Sequence, residues 1–388
     1  MRRPKGTGWR QPVRLVHEWL GLACLAGLLV IGLSGAAIVF LGTLFELQYG
    51  DMLAVPEAQR DQPPVSVDRL LGSALEGYGA AFSPQGVLMP QSRIPVDVAL
   101  VFGVPEGVTT DEPLMLVVNP HTGAYQGSFW LDEALGHELV HLHADLLAGE
   151  TGRLVVIGLG LAMIFFTLTG LYLWWPRKGS AWRKLKLTTF QRRRPTVFLL
   201  HGLLGIWLAP LLIYYSITGI ATAKPDWFSP AMITPFTMAP SYPSHQDSVE
   251  ALIPISEAVA VAQKSFSQRR LSSFNIAHAG AMVGMTFKGA GDMDYFYGDG
   301  YAWVDRRNGR VLKAFVSGEE SLPVATGGAM HSLHAGSFFG IPGMIVSVIT
   351  GTGLTACSVF GAVLWWRRRS FRGGNKREKA VARGKQTA

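Results

Sequence analysis

The stretch LVVIGLGLAMIFFTLTGLYLWW, Leu154 to Trp175, carries no charged side chain. As an α-helix it extends about 33 Å, enough to cross the roughly 30 Å hydrocarbon core of a bilayer. Three more stretches have the same character: WLGLACLAGLLVIGLSGAAIVFL (19–41), VFLLHGLLGIWLAPLLIYYSITGIA (197–221) and IPGMIVSVITGTGLTACSVFGAVLWW (341–366). Of 388 residues, 48% are hydrophobic and 16% charged, and the hydrophobic ones gather in these four runs. That excludes an ordinary soluble domain. The expected fold class is a membrane protein, mainly α, with four transmembrane helices.

Basic residues set the expected orientation. Residues 1–14 hold five Lys/Arg and no acid, residues 176–195 hold eight and no acid, and the tail from Arg367 holds nine against Glu378 alone. The loop from Gly42 to Leu142 has three basic and thirteen acidic residues. The positive-inside bias therefore places both termini and the 176–195 loop in the cytoplasm, with the loops at roughly 42–142 and 223–330 exported. The net charge of +8 is accounted for by topology, and no nucleic-acid partner is expected. A cleaved signal peptide is the rival for the first helix, but its apolar run exceeds the usual signal core, and retention is favoured. Cys24 and Cys357 both fall in apolar runs, so no disulfide framework is expected.

The chain is written twice. LVHEWLGL and LLHGLLGI open the first and third runs, with His17 and His201 each 18 residues before Gly35 and Gly219. LHAD and LHAG precede the second and fourth runs. His143 and His334 each lie 27 residues before Gly170 and Gly361, and 31 before Trp174 and Trp365. VVNPHTG and VDRRNG mark matching hairpins with turns at Gly123 and Gly309. Upstream of each lies an amphipathic helix, with Ser66 or Ser256 as candidate N-cap. Two parallel tandem repeats imply a pseudo-two-fold axis along the membrane normal. A continuous helix from His334 to Trp365 would run about 46 Å, so either His334 lies near the outer headgroups or the helix breaks at FGIPG.

Such an axis brings equivalent histidines face to face. His17 with His201 on the cytoplasmic side, and His143 with His334 on the exported side, each have the makings of a bis-imidazole haem site, two b-type haems in all. Gly21, Gly202, Gly205, Ala144, Ala335 and Gly336 are small residues that let a flat macrocycle approach the backbone. His137, His141 and His331 have no histidine at the register-equivalent positions Gly328, Ser332 and Val140. They are open to roles as supporting donors, alternative ligands or surface residues, and His121, His245 and His278 are read as structural. The run His137-Glu138-Leu139-Val140-His141 matches the H-E-x-x-H pattern of zinc hydrolases. That reading is set aside for want of a third protein ligand: the metzincin extension is absent, and LLAGETG interrupts the helix before Glu150.

Through RLVHEWLGL, LLHGLLGI, the LHA motifs, the Trp-Trp-basic ends and the two hairpins, nearly the whole chain resembles the PepSY-associated transmembrane proteins. Within them it looks most like the inner-membrane siderophore reductases. The resemblance implies 1–41 as cytoplasmic N-terminus and first helix, 42–133 as a first exported α+β PepSY-like domain, and 134–175 as second helix with an outward extension. A basic loop (176–195), third helix (196–222), second PepSY-like domain (223–330), fourth helix (331–366) and basic tail (367–388) follow. It implies a haem-dependent oxidoreductase of a bacterial inner membrane that reduces a ferric siderophore, with the ferrioxamine type as the candidate, in the periplasm. The cytoplasmic loops lack a nucleotide fingerprint, so the electrons must come from a separate donor, a membrane quinol or a cytoplasmic reductant. A siderophore or iron transporter and a non-enzymatic PepSY scaffold are the alternatives.

Overall fold

Four stretches of the computed structural model are helical, long and apolar enough to cross a membrane: Leu25–Leu53, Gly149–Trp174, Thr196–Ala223 and Ser337–Ser370. The structure describes residues 8–91, 94–110, 112–176, 196–242 and 251–384. Nearly all of the expected basic loop at 176–195 and part of the basic N-terminus lie outside these.

In chain order the first half contains α1 (Arg10–Ala23), α2 (Leu25–Ala37), α3 (Leu41–Tyr49), the single turn α4 (Glu57–Arg60) and α5 (Val67–Tyr78). Strands β1 (Phe82–Leu88), β2 (Ala99–Pro105), β3 (Leu114–Val118) and β4 (Tyr125–Trp130) follow, then α6 (Leu135–Asp145) and α7 (Gly149–Trp174). The second half contains α8 (Thr196–Ala223) and α9 (Ile255–Gln263), then β5 (Arg269–Ala277), β6 (Met282–Gly289), β7 (Gly300–Asp305) and β8 (Arg310–Val316). It closes with the short α10 (Ser317–Glu320), α11 (Leu322–Ala335) and α12 (Gly340–Gly384). These elements divide into two compact units. One is made of Met1–Ala36, Leu142–Ile220 and Val346–Ala388, the other of Ala37–His141 and Ala221–Ile345.

The membrane unit packs its helices through small residues, as helices in lipid do. A side chain on Gly32 would put its Cβ 2.8 Å from the Gly351 carbonyl oxygen, and one on Gly27 would lie 2.6 Å from Leu159. Gly353 meets Leu208 equally closely, and Leu28, Leu159, Met163, Leu208, Leu212 and Leu354 fill the space between. On α7, Leu154, Val155, Leu161, Phe165 and Leu168 stay exposed. A continuous apolar face of that kind is stable against lipid tails and not against water.

The sheet-bearing unit corrects one expectation. Two separate α+β domains are not formed: β1 pairs with β5, and the strands make one antiparallel sheet in the order β4-β3-β2-β1-β5-β6-β7-β8. The two halves share a core as well. Leu70, Leu71 and Ala74 of α5 and Ile255, Ala258 and Ala262 of α9 cover one face over Val101, Leu116, Phe274 and Met285. Leu100, Met115 and Val117, the alternate residues of β2 and β3, pack on Phe45 and Phe129 on the opposite face. The hairpin turns fall as expected, with Gly123 at φ +76° and Gly309 at +69°, where a Cβ is unfavourable. Ser66 caps α5 by accepting from the Arg69 N–H at 3.3 Å. Ser256 is not a cap. Asp68 of α5 takes that role across the halves, accepting from the N–H groups of Ile255 and Ser256 at 2.9 and 3.1 Å and from the Ser256 hydroxyl.

Both helices that carry His143 and His334 break before the apolar run that follows. After α6, Leu146 and Leu147 take φ +54° and +57°, and the Leu147 N–H donates to the Asp145 carboxylate at 3.1 Å. After α11, Gly336 takes φ +80° and Gly340 +64°. The break therefore begins ahead of FGIPG, and Pro342 falls in the first turn of α12, where its missing N–H costs nothing. Each break closes so tightly that a Cβ on Gly152 would lie 1.6 Å from the Asp145 carbonyl oxygen, and one on Gly343 2.0 Å from that of Gly336. Gly152→Ala and Gly343→Ala are each expected to destabilise the protein by about 1–3 kcal/mol. Thermal unfolding in detergent measures this, with Gly72→Ala, where the new Cβ meets nothing within 4 Å, as control.

Candidate functional site

Three of the four registered histidines lie in the membrane unit, and their surroundings fix the ring nitrogens. His201, on α8, has Nδ1 2.9 Å from the carbonyl oxygen of Cys357 on α12. A carbonyl only accepts, so Nδ1 carries the proton and Nε2 the lone pair. His17, on α1, has Nδ1 2.8 Å from Thr169 Oγ1, whose own hydroxyl donates to the Phe165 carbonyl at 2.7 Å. The hydroxyl proton is thus spent, and His17 must donate as well. His143, on α6, repeats the pattern: Nδ1 lies 3.1 Å from the Ile31 carbonyl and 3.2 Å from Ser34 Oγ, which donates to the Val30 carbonyl at 2.6 Å. Burial pushes the His143 imidazole below its ordinary range, so it stays neutral near pH 7. In all three the acceptor nitrogen is Nε2, the arrangement found where histidine binds metal with its other nitrogen anchored.

The rings of His17 and His201 have centroids 6.5 Å apart and planes 84° apart. Two imidazoles on opposite sides of one metal, each bonded at about 2.0 Å, have centroids roughly 6 Å apart. The ring separation is close to that of two imidazoles on one metal. Gly170 and Gly361 back the two rings: a Cβ there would lie 3.6 Å from His17 and 3.3 Å from His201. At Gly21 and Gly205, each one turn beyond its histidine, a Cβ would make ordinary van der Waals contact, 3.9 Å from Phe166 and 4.0 Å from the Cys357 sulfur. Both positions are looser than Gly27 and Gly32, where a Cβ would collide.

His334 lies on α11, in the sheet-bearing unit, whereas His143 belongs to the membrane unit. His331 packs its ring against Phe296 and Tyr297, also in the sheet-bearing unit. His278 stacks on Tyr242, and His121 Nδ1 meets the Gln62 carbonyl, which agrees with structural roles. His245 lies outside the described residues.

His137 and His141 bring a correction. Their rings stand 4.6 Å apart on one face of α6, and Glu112, from the segment leading into β3, reaches both. Its carboxylate oxygens lie 3.3 Å from His137 Nε2 and 3.9 Å from His141 Nε2. A third donor is therefore present, from upstream in the chain and not from Glu150. Sequence reading missed Glu112 because no spacing rule links a carboxylate before a strand to a helix two strands later. It missed Thr169 and the Cys357 carbonyl for a similar reason: one is common in apolar helices, and the other is backbone.

The ring assignment is testable in ligand-free protein. Nitrogen-15 shifts of labelled histidine should show Nδ1 protonated and Nε2 bare for His17, His143 and His201. Thr169→Val should let His17 populate both tautomers while leaving His201 unchanged.

Among known proteins, the family model described as the PepSY-associated TM region matches residues 14–368. An 82-residue stretch is 37% identical to the uncharacterized protein PA4219 of Pseudomonas aeruginosa, covering 21% of this chain and 20% of that protein.

Proposed function

The chain belongs to the PepSY-associated TM family, and on that premise we propose that it is a haem-containing ferric-siderophore reductase of a bacterial inner membrane. The observation that carries the reading is the His17–His201 pair, spaced for one metal between them, with both Nδ1 atoms anchored and both Nε2 atoms available as donors. Haem held there supplies reversible one-electron transfer between two iron oxidation states. His17 and His201 would hold the group, and Thr169 and the Cys357 carbonyl keep each ring in its tautomer. By sequence register alone, His143 and His334 would be the ligands of a second group. The anchored Nδ1 of His143 supports its half of that assignment.

The rest of the reading follows from charge and chemistry. The basic segments place both termini in the cytoplasm and the sheet-bearing unit in the periplasm. The like series of helix, four strands and broken helix in each half supports two parallel tandem repeats. The substrate is an Fe(III) siderophore, with the ferrioxamine type as the candidate. One electron turns its iron to Fe(II), which hard oxygen ligands hold far more weakly. A quinol or cytoplasmic reductant supplies that electron.

Purified full-length protein tests this. A Soret band that shifts on dithionite reduction, with about two haems per chain, is expected. Anaerobic addition of ferrioxamine should reoxidise the protein and release Fe(II) to a ferrous chelator. His17→Ala and His201→Ala should each cut haem content to about one per chain, and Gly205→Leu should lower it by adding bulk one turn from His201. A preparation grown with haem that shows no such band overturns the reading in favour of a PepSY scaffold. Reporter fusions after Gly123 and Gly309 should be active only as exported reporters, and a cytoplasmic signal at either overturns the orientation.

A further inference from the structure

We propose that Glu112, His137 and His141 form a binding site for one divalent first-row transition ion, separate from the paired-histidine site and independent of the haem reading. All three residues belong to the sheet-bearing unit and are half-buried. His137 and His141 stand one helical turn apart on α6, so their imidazoles point the same way, and their donor atoms and that of Glu112 lie within 4.8 Å of one another. Ligands bonded at about 2.0–2.1 Å in a tetrahedron stand roughly 3.3–3.4 Å apart. The His137–Glu112 separation is already 3.3 Å, and the 3.9 Å to His141 closes with a small side-chain rotation.

The donor set selects the ion. Two imidazoles and one carboxylate are too nitrogen-rich for Ca²⁺ or Mg²⁺, which take oxygen, and lack the thiolates of a closed structural zinc site. Three protein donors leave at least one coordination position for water or an exchangeable ligand. Two neutral imidazoles and one carboxylate offer a single negative charge to a dication, so the bound ion keeps a net positive charge that favours an anionic fourth ligand.

Zinc is the probe, added to untagged, chelator-treated, full-length protein. Equilibrium dialysis followed by elemental analysis should find about one Zn²⁺ per chain, with binding weakened at least about 100-fold in Glu112→Ala, His137→Ala and His141→Ala. Glu138→Gln, which alters the motif without removing a ligand, should bind as the parent does. In metal-free buffer the parent and the three variants should have similar melting temperatures, and only the parent should rise on adding Zn²⁺. Haem content should be the same in all of them. The site is overturned if the parent takes up no Zn²⁺ at micromolar concentration, or if the variants bind it equally. The contacts would then be an ion pair only. A variant that fails to fold does not spare the proposal, because the parent's own uptake and thermal shift decide it.

Discussion

An imidazole inside an apolar helix bundle has one N–H, and with no water nearby that proton must go to a fixed acceptor or cost several kcal/mol. The membrane unit is organised around this constraint. The Cys357 carbonyl, the Ile31 carbonyl and the already committed hydroxyl of Thr169 are acceptors of fixed direction, each on a different helix from the histidine it serves. A helix carbonyl is normally consumed by the N–H four residues on and accepts a second bond only from the side. The histidine must therefore approach at a set angle, which orients the ring and aims Nε2. Tautomer, ring plane and helix–helix contact are one geometric fact here.

The glycines separate by what surrounds them. Gly27, Gly32, Gly351 and Gly353 are closed, each allowing two helices to touch where any side chain would collide. Gly21 and Gly205 occupy equivalent places relative to His17 and His201, and a Cβ there would meet Phe166 and the Cys357 sulfur at ordinary contact distance. Packing energy explains the closed glycines. At the looser pair a methyl group is sterically tolerated, and glycine costs about 1 kcal/mol of helix propensity against alanine.

Much of this was legible in the sequence because it is local. The four apolar runs, the turns at Gly123 and Gly309, the Ser66 cap and the interruption before Glu150 each depend on a few consecutive residues. The interval between His17 and Gly35 signalled duplication without revealing contacts: in the structure Gly35 lies against His143, and His17 lies against Gly170. The β1–β5 pairing that fuses two expected domains into one sheet was not legible. It joins residues far apart in sequence, and β1 carries Pro84 and Gly86, which blur a strand pattern. Asp68 shows the same limit. It resembles an ordinary first-turn acid of α5, yet its carboxylate caps the helix of the other half.

The two halves also show what the fold does not require. At the position equivalent to His141 stands Ser332, and it too faces the segment leading into the third strand of its half, donating to Asp294 and accepting from the Tyr295 N–H. Asp294 is further satisfied by the Phe296 and Tyr297 N–H groups, and its burial pushes its pKa up to about 6. That junction is closed by a serine and backbone amides. At the position equivalent to His137, Gly328 lets Ser317 approach, with no room for a ring. A serine and a glycine are therefore sufficient to join helix to sheet. The first half instead places two imidazoles and a carboxylate there, in a geometry that stability alone does not demand. What the second half leaves out identifies the Glu112 cluster as an addition to the fold and not a part of its frame.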